Sequence, residues 1–273
     1  MTRVVLRGSH SFIAGAVADA AAARGLAVLA LPHDAALDGL TGTDCLINFA
    51  LHPAYRTGPY GEDIDCDLAA ARAAARVGAA FIMLSTRRVY GPDVRCNAAE
   101  NCPAEGDETA YGRNKARSEK AVQAAMSGGA GIFRLSNIFG YEYDPDCPRR
   151  SFLGILLTSL KRKNKIYFDM SPATRRDFLP VETCADLLLD RAVRRTTGTY
   201  NLGSGVALPC GDLADWIREG YGGGELVCDP DIVHDEFFLN MDKWRSQFPL
   251  PMNSGILREY CIDLGRSLKC EKS

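Results

Sequence analysis

The chain has 273 residues, 47% hydrophobic and 24% charged, with 32 basic against 34 acidic side chains. That is ordinary globular composition, with apolar residues enough for a substantial core. A net charge of −2 with no basic stripe or polybasic cluster excludes binding to nucleic acid or anionic membrane by bulk charge. The longest apolar run is too short to span a bilayer. The N-terminus leads directly into a strand with no signal-peptide layout, so a soluble, cytoplasmic protein is expected. Ten cysteines are scattered without a C-x-x-C pair or a Cys/His set at zinc spacing. They read as reduced thiols, mostly small core residues, and no metal site is expected.

In chain order, residues 3–6 read as a buried strand and 13–24 as an Ala-rich helix ended by Gly25. Residues 27–31 and 45–50 read as strands, 66–77 as a second Ala-rich helix, 81–85 as a strand, 112–126 as a helix and 131–135 as a strand. Strand–helix alternation of this kind argues for a parallel sheet covered on both faces, with right-handed crossovers. Only residues 32–44 separate the second and third strands, where an ordinary mononucleotide half would fit another helix and strand, so that region is trimmed. Beyond residue 140 the alternation loosens. A Pro- and Asp-rich loop (144–150) precedes helical patterns at 152–162, 181–195, 213–219 and 244–248, with 165–168 extended. The expected fold is α/β, a doubly wound parallel Rossmann-type sheet (residues 1–140) with a smaller C-terminal substrate lobe (residues 141–273, some segments returning to the sheet). Ligands bind at the carboxyl edge of such sheets.

Two stretches carry chemistry. VVLRGSHSFIAG puts a glycine turn between the first strand and helix. Gly8 serves the tight turn. Ser11 and Ala14, where a dinucleotide turn has two more glycines, are small enough for close approach and packing. Free amides near Ser11 and Phe12 would face a phosphate. Taken alone, the stretch reads equally well as an ordinary strand–helix connection. Downstream, AYGRNKARSE sets Tyr111 four residues before Lys115, on one helix face. An ammonium beside a phenol favours the phenolate and equips it for proton transfer. MLSTRRVYG adds Ser85 and Thr86 at a strand's carboxyl end, and FRLSNIFG adds Asn137 at the next.

With RRDFLPVE and TYNLGSG further on, the chain resembles the extended short-chain dehydrogenase/reductase family of nucleotide-sugar epimerases, dehydratases and ketoreductases, in order from Val4 to Gly205. The resemblance implies roles for individual residues. Thr86 matches the catalytic Ser/Thr, Tyr111 the general acid/base, and Lys115 the ribose-binding lysine that tunes it. Gly8, Ser11 and Ala14 take the fingerprint positions, with Phe12 and Ile13 as apolar filler. Ala50 and Leu51 follow a strand end that touches the cofactor. Asn137 contacts the sugar nucleotide. Arg176 opens the R-D-F motif, either as a substrate residue or as part of a structural motif in which Asp177 anchors the lobe.

The chain also departs from the family. Two fingerprint glycines are absent. The acid that holds the ribose hydroxyls of NAD is replaced by Pro32, with His33 and Asp34 after it. Arg7 or His33 could meet a 2′-phosphate, while Asp34 could serve NAD; the balance tilts to NADP(H) over NAD(H). Arg87 and Arg88 stand where 4,6-dehydratases of the family carry an Asp–Glu pair, and arginine cannot titrate. The substitution argues against 4,6-dehydration. Arg87 is instead a candidate holder of an anionic substrate group, or simply solvated. Tyr141, Tyr143 and the 144–150 loop read as a lobe connection or a sugar-pocket wall, Trp216 and Trp244 as core, and His52 as a loop residue with a lesser claim on the site.

The expected function is an NAD(P)-dependent oxidoreductase on a nucleoside-diphosphate sugar, reducing a 4-keto carbon with Tyr111 as acid. A 4-epimerase uses the same residues and remains the alternative. A dinucleotide-sensing protein without catalysis ranks below both, because Tyr111 and Lys115 are retained. The resemblance also implies a homodimer through the helices at 66–77 and 112–126.

Overall fold

The computed structural model describes residues 2–142, 151–228, 232 and 235–270. The loop at 144–150, Tyr143 and Cys147 lie outside them. From the N-terminus run β1 (Val4–Arg7), α1 (Phe12–Ala23), β2 (Val28–Leu31), β3 (Cys45–Asn48), α2 (Cys66–Val77), β4 (Ala80–Thr86), β5 (Cys96–Ala98), α3 (Ala110–Ala125) and β6 (Gly131–Leu135). Then come β7 (Asn137–Phe139), α4 (Phe152–Lys163), β8 (Lys165–Tyr167), β9 (Arg175–Arg176), β10 (Phe178–Pro180), α5 (Val181–Val193) and β11 (Gly198–Leu202). Three more helices follow: α6 (Cys210–Tyr221), α7 (Asp242–Arg245) and α8 (Ser254–Cys270).

Six strands form one parallel sheet in the order β11-β6-β4-β3-β1-β2. The period of two along each strand divides the core into layers. Val4, Leu6, Cys45, Ile47, Ile82 and Leu84 pack on the α1 and α5 side. Val5, Leu46, Phe81, Met83 and Ile132 pack on the small residues of α2 and on Val122 of α3. Both faces are therefore covered, the doubly wound arrangement expected from the alternation.

The predicted strands and helices of the first half stand within a few residues of the observed ones. Between β2 and β3 the chain crosses without a helix, as the short spacing required. Two segments from beyond residue 140 return to this half: β11 pairs with β6 at the sheet edge, and α5 packs on α1. The remainder is held by short two-stranded pairings such as β7 with β10 and by the packing of α8 on α6. Helix α8 is absent from the expected elements. Its buried positions, Leu257, Cys261, Leu264 and Leu268, recur at three- and four-residue spacing, so the signal was present.

The nine described cysteines are free, and Cys45, Cys184, Cys210 and Cys261 are buried. Burial pushes the Cys45 and Cys261 thiols up to about 12, so these two are packing residues and not nucleophiles. Trp244 is fully buried and Trp216 packs at the core's edge. No described helix is long and apolar enough to cross a membrane.

Candidate active site

At the carboxyl ends of β4 and β6 lies a cavity of about 410 Å³. That is within the ordinary range for small-molecule sites. Thr86, Tyr111, Asn137 and Ile13 all line it, so four of the sequence-derived candidates meet in one space. Thr86 ends β4, and Tyr111 lies in the first turn of α3, which begins at a Thr109 cap whose Oγ1 accepts from the Gly112 amide at 3.0 Å. Two neighbouring hydroxyls reach the cavity wall, but they are in different states. The Ser85 hydroxyl donates to Glu119, which is clamped by Arg134 at 2.7 Å, so its proton is spent inside the protein. Thr86 Oγ1 accepts from the Arg88 amide at 3.3 Å, which leaves its own O–H to donate. Tyr111 is steadied edge-on by Tyr55, with ring centres 6.4 Å apart, and Arg56 lies 5.8 Å from its ring centre.

Lys115 sits one turn behind Tyr111 and is 4% exposed. Its Nζ donates to Asp67 Oδ2 at 2.6 Å and to the Leu84 carbonyl at 2.8 Å. Burial alone would push the ammonium down, but Asp67 and the Tyr111 oxygen outweigh it and hold Lys115 above the usual lysine value. Two of its three N–H donors are thus engaged. Asp67 itself is held by Asn48, whose Nδ2 donates to Oδ1 at 2.7 Å. Asp67 and Asn48 are not among the sequence-derived candidates. They lie on a different helix and strand from Lys115, and no linear spacing links them to it.

The expected cofactor residues line the adjoining edge, at the ends of β1, β2 and β3. Gly8 has φ of +85°, and a Cβ there would stand 2.7 Å from the Ala50 amide. Only glycine fits that crossing of the two strand ends, whatever binds beside it. Ser11 caps α1 by backbone alone, and no acid occupies the first turn, so the helix's leading amides are not answered by a side chain there. Ala14 is buried, while Phe12 is 38% exposed. Ser136 Oγ, on the cavity wall, is buried without a hydrogen-bond partner. The glycine crossing, the open helix start and this orphaned hydroxyl are the features into which a nicotinamide dinucleotide fits.

Arg7 and His33, the two residues that could meet a 2′-phosphate, each bond a backbone group. Arg7 Nε donates to the His33 carbonyl at 3.1 Å, and His33 Nε2 accepts from the Leu51 amide at 3.1 Å. These contacts bear on the two candidate positive groups and leave untouched the other basis of the tilt, the absence of an acid at Pro32. Asp34 is exposed at the end of β2.

Arg87 and Arg176, expected to contact substrate, point to Asp235 instead of forming the cavity wall. Arg87 makes a two-pronged ion pair with the Asp235 carboxylate, with Nη1 at 2.8 Å, and stacks on Phe237 with its guanidinium 3.6 Å from the ring centre. Arg176 Nε donates to the Asp235 carbonyl at 3.2 Å. Burial resists the Asp235 charge, but Arg87 and the neighbouring arginines more than offset this and hold its carboxyl below the usual range. Arg88 pairs with Asp107 at 2.7 Å. Of the R-D-F motif, Asp177 is fully buried and accepts from Ser204 N, Ser204 Oγ, Gly205 N and Leu239 N. That ties β9 and β10 to the loop after β11 and to the C-terminal segment. His52 accepts from the Ala54 amide and caps a short turn. Besides the expected residues, Arg56, Ser151, Phe152 and Phe178 line the cavity. They come from separated segments that only the fold assembles.

The family model described as "NAD dependent epimerase/dehydratase family" matches residues 54–203, just over half of the chain. The chain belongs to that family of nucleotide-sugar epimerases, dehydratases and reductases. Among solved structures, it is similar to the UDP-N-acetylglucosamine 4-epimerase from Bacillus cereus (14% identity, 100% of this chain and 98% of that one, TM-score 0.79). It is also similar to MoeE5 in complex with UDP-glucose and NAD (18%, 97% and 99%, TM-score 0.73). A third likeness is to dTDP-4-dehydrorhamnose reductase from Yersinia enterocolitica (17%, 97% and 100%, TM-score 0.70). At these identities the likeness is one of fold. No curated protein matches the chain in sequence.

Proposed function

We propose that the chain is a nicotinamide-dependent reductase of a 4-keto nucleoside-diphosphate sugar. The observation that carries this reading is the meeting of Thr86 and Tyr111 on one cavity, with buried Lys115 a helical turn behind. A bound nicotinamide dinucleotide would supply or accept the hydride. Gly8, the start of α1, Ala50 and Leu51 would hold it, with Lys115's remaining N–H and the Ser136 hydroxyl toward its nicotinamide end. Thr86 donates to the sugar's carbonyl oxygen and orients it. Tyr111 delivers the proton to that oxygen as it gains charge. Asn137 and the aromatic side chains Phe152 and Phe178, which line the cavity, would flank the sugar. MoeE5, of the same fold, binds UDP-glucose and NAD, which supports a nucleotide sugar and a dinucleotide here. Arg87 and Arg88 cannot exchange protons and are committed to Asp235 and Asp107, which opposes 4,6-dehydration. By the family resemblance, we also assign a homodimer through α2 and α3.

The first test is mass spectrometry of nucleotide released from freshly purified protein, followed by titration with NADH and NADPH. An empty site that binds and exchanges a reduced dinucleotide, which is then consumed by a 4-keto nucleoside-diphosphate hexose, is the expected result. Tyr111→Phe should lower that turnover about 10²- to 10⁴-fold while dinucleotide still binds. Tightly retained NAD⁺ would point to the 4-epimerase, and unchanged turnover in Tyr111→Phe would remove the catalytic assignment.

A further inference from the structure

Lys115 is buried, and a buried ammonium is unstable unless something offsets its lost hydration. The groups around it come from five segments. From α2, Asp67 bonds Nζ at 2.6 Å, and Asp65, the residue that caps its start, contributes negative field. Asp65 has its own bonds, to Ser118, to Tyr60 and to the amides of Asp67 and Leu68. From the turn ahead of α2, the Tyr55 ring centre lies 5.8 Å from Nζ. From β4 comes the Leu84 carbonyl, from β3 comes Asn48 behind Asp67, and on its own helix stands Tyr111. Asp67 alone among these joins a full charge to a direct bond.

We propose that Asp67 is a positioning residue for the acid/base pair: it keeps Lys115 charged and fixed in place, so that the ammonium's last N–H serves the cavity. This rests on the reading of Lys115 and Tyr111 given above. The geometry argues for design in the pair. Asp67 is 2% exposed, its second oxygen is held by Asn48, and Asn48 in turn donates to the Ala50 carbonyl at 3.0 Å. The chain of bonds runs from the end of β3, beside the expected cofactor edge, through Asp67 to Lys115 and on to the end of β4, beside Thr86. One carboxylate therefore links the two halves of the site. Asparagine at this position would keep the size and a hydrogen bond to Nζ but remove the charge.

The test compares wild type with Asp67→Asn by following the Lys115 ε-carbon NMR signal against pH, assigned by its loss in Lys115→Arg. No cofactor or substrate is needed. In wild type the signal should stay in its charged position into the alkaline range. In Asp67→Asn its midpoint should fall by about two units or more, because burial is then unopposed. An unchanged midpoint overturns the proposal. Denaturant unfolding supplies a second arm. The double variant Asp67→Asn/Lys115→Met, with neither charge, should be more stable than Asp67→Asn alone. Equal or lower stability would mean that the Lys115 charge is not left uncompensated when Asp67 is neutral, and the proposal fails. In the active enzyme, Asp67→Asn should lose turnover progressively as pH rises, more in kcat than in KM for the sugar nucleotide. A shifted Lys115 signal in a protein with no reductase activity would uphold the Asp67 inference while removing the functional reading.

Discussion

Arg87 and Arg88 follow Thr86 directly, and each is held by a carboxylate from a distant segment: Asp235 for the first, Asp107 for the second. The Arg87–Asp235 pair is the more deeply enclosed, with side-chain exposures of 9% and 17%. Asp235's carboxyl is held below its ordinary 3.8, so the sign of its pH effect is fixed. The pair contributes to stability above that pH, and the contribution is lost as pH falls through the lower, folded value. Urea unfolding of wild type should therefore show stability dropping below about pH 4, the ordinary carboxylate range. In Asp235→Asn this part of the acid response should be absent. At neutral pH that variant should be less stable by about 3 kcal/mol, because Arg87 stays buried without a counter-charge. An unaltered acid limb would show that the pair carries no such linkage. The sequence revealed that these arginines cannot do dehydratase chemistry. That they are structural ties was hidden, because Asp235 is far away in the chain.

Among the elements, the α6–α8 pair shows how small residues set a close crossing. A Cβ at Gly265 would lie 2.1 Å from the Ile217 carbonyl, and one at Gly220 would lie 1.9 Å from the Ile262 carbonyl. Both obstacles are backbone, so neither can rotate aside, and glycine is required on each helix at the contact. Gly265→Ala should push the helices apart and cost about 3 kcal/mol in denaturant unfolding. A loss under about 0.5 kcal/mol, the scale of a neutral surface change, would show that the crossing relaxes freely. The apolar spacing of α8 was readable, yet its role was not, because a helix pattern does not say which helix it covers. Conversely, α3 was readable in both respects: its period placed Tyr111 and Lys115 on one face, and the structure puts Tyr111 on the cavity and Lys115 just behind it.

For the whole molecule, the face formed by α2 and α3 carries a shallow groove lined by Leu68, Ala75, Ala121, Ala124 and Ala125, with Glu62, Arg72 and Arg76 also in its wall. If this face joins two copies, sedimentation at micromolar concentration should show a dimer. Ala124→Glu, at an exposed position, should convert it to a folded monomer with unchanged circular dichroism. A wild-type monomer would remove the dimer proposal.

The sequence by itself determined the layering of the sheet, the trimmed crossing after β2, the glycine at position 8 and the Thr86–Tyr111–Lys115 set. The first three depend on local period, chain length between strands and a tight turn; the last rests on the Tyr111–Lys115 helical spacing together with the family resemblance that adds Thr86. Only the tertiary structure decided that Asp67 holds Lys115, that Ser85 is spent on Glu119, that Arg87 faces Asp235, and that Arg7 and His33 are engaged on backbone groups. Each is a pairing across 18 to 148 residues, chosen by which segments the fold lays side by side, and no pattern along the chain encodes that choice.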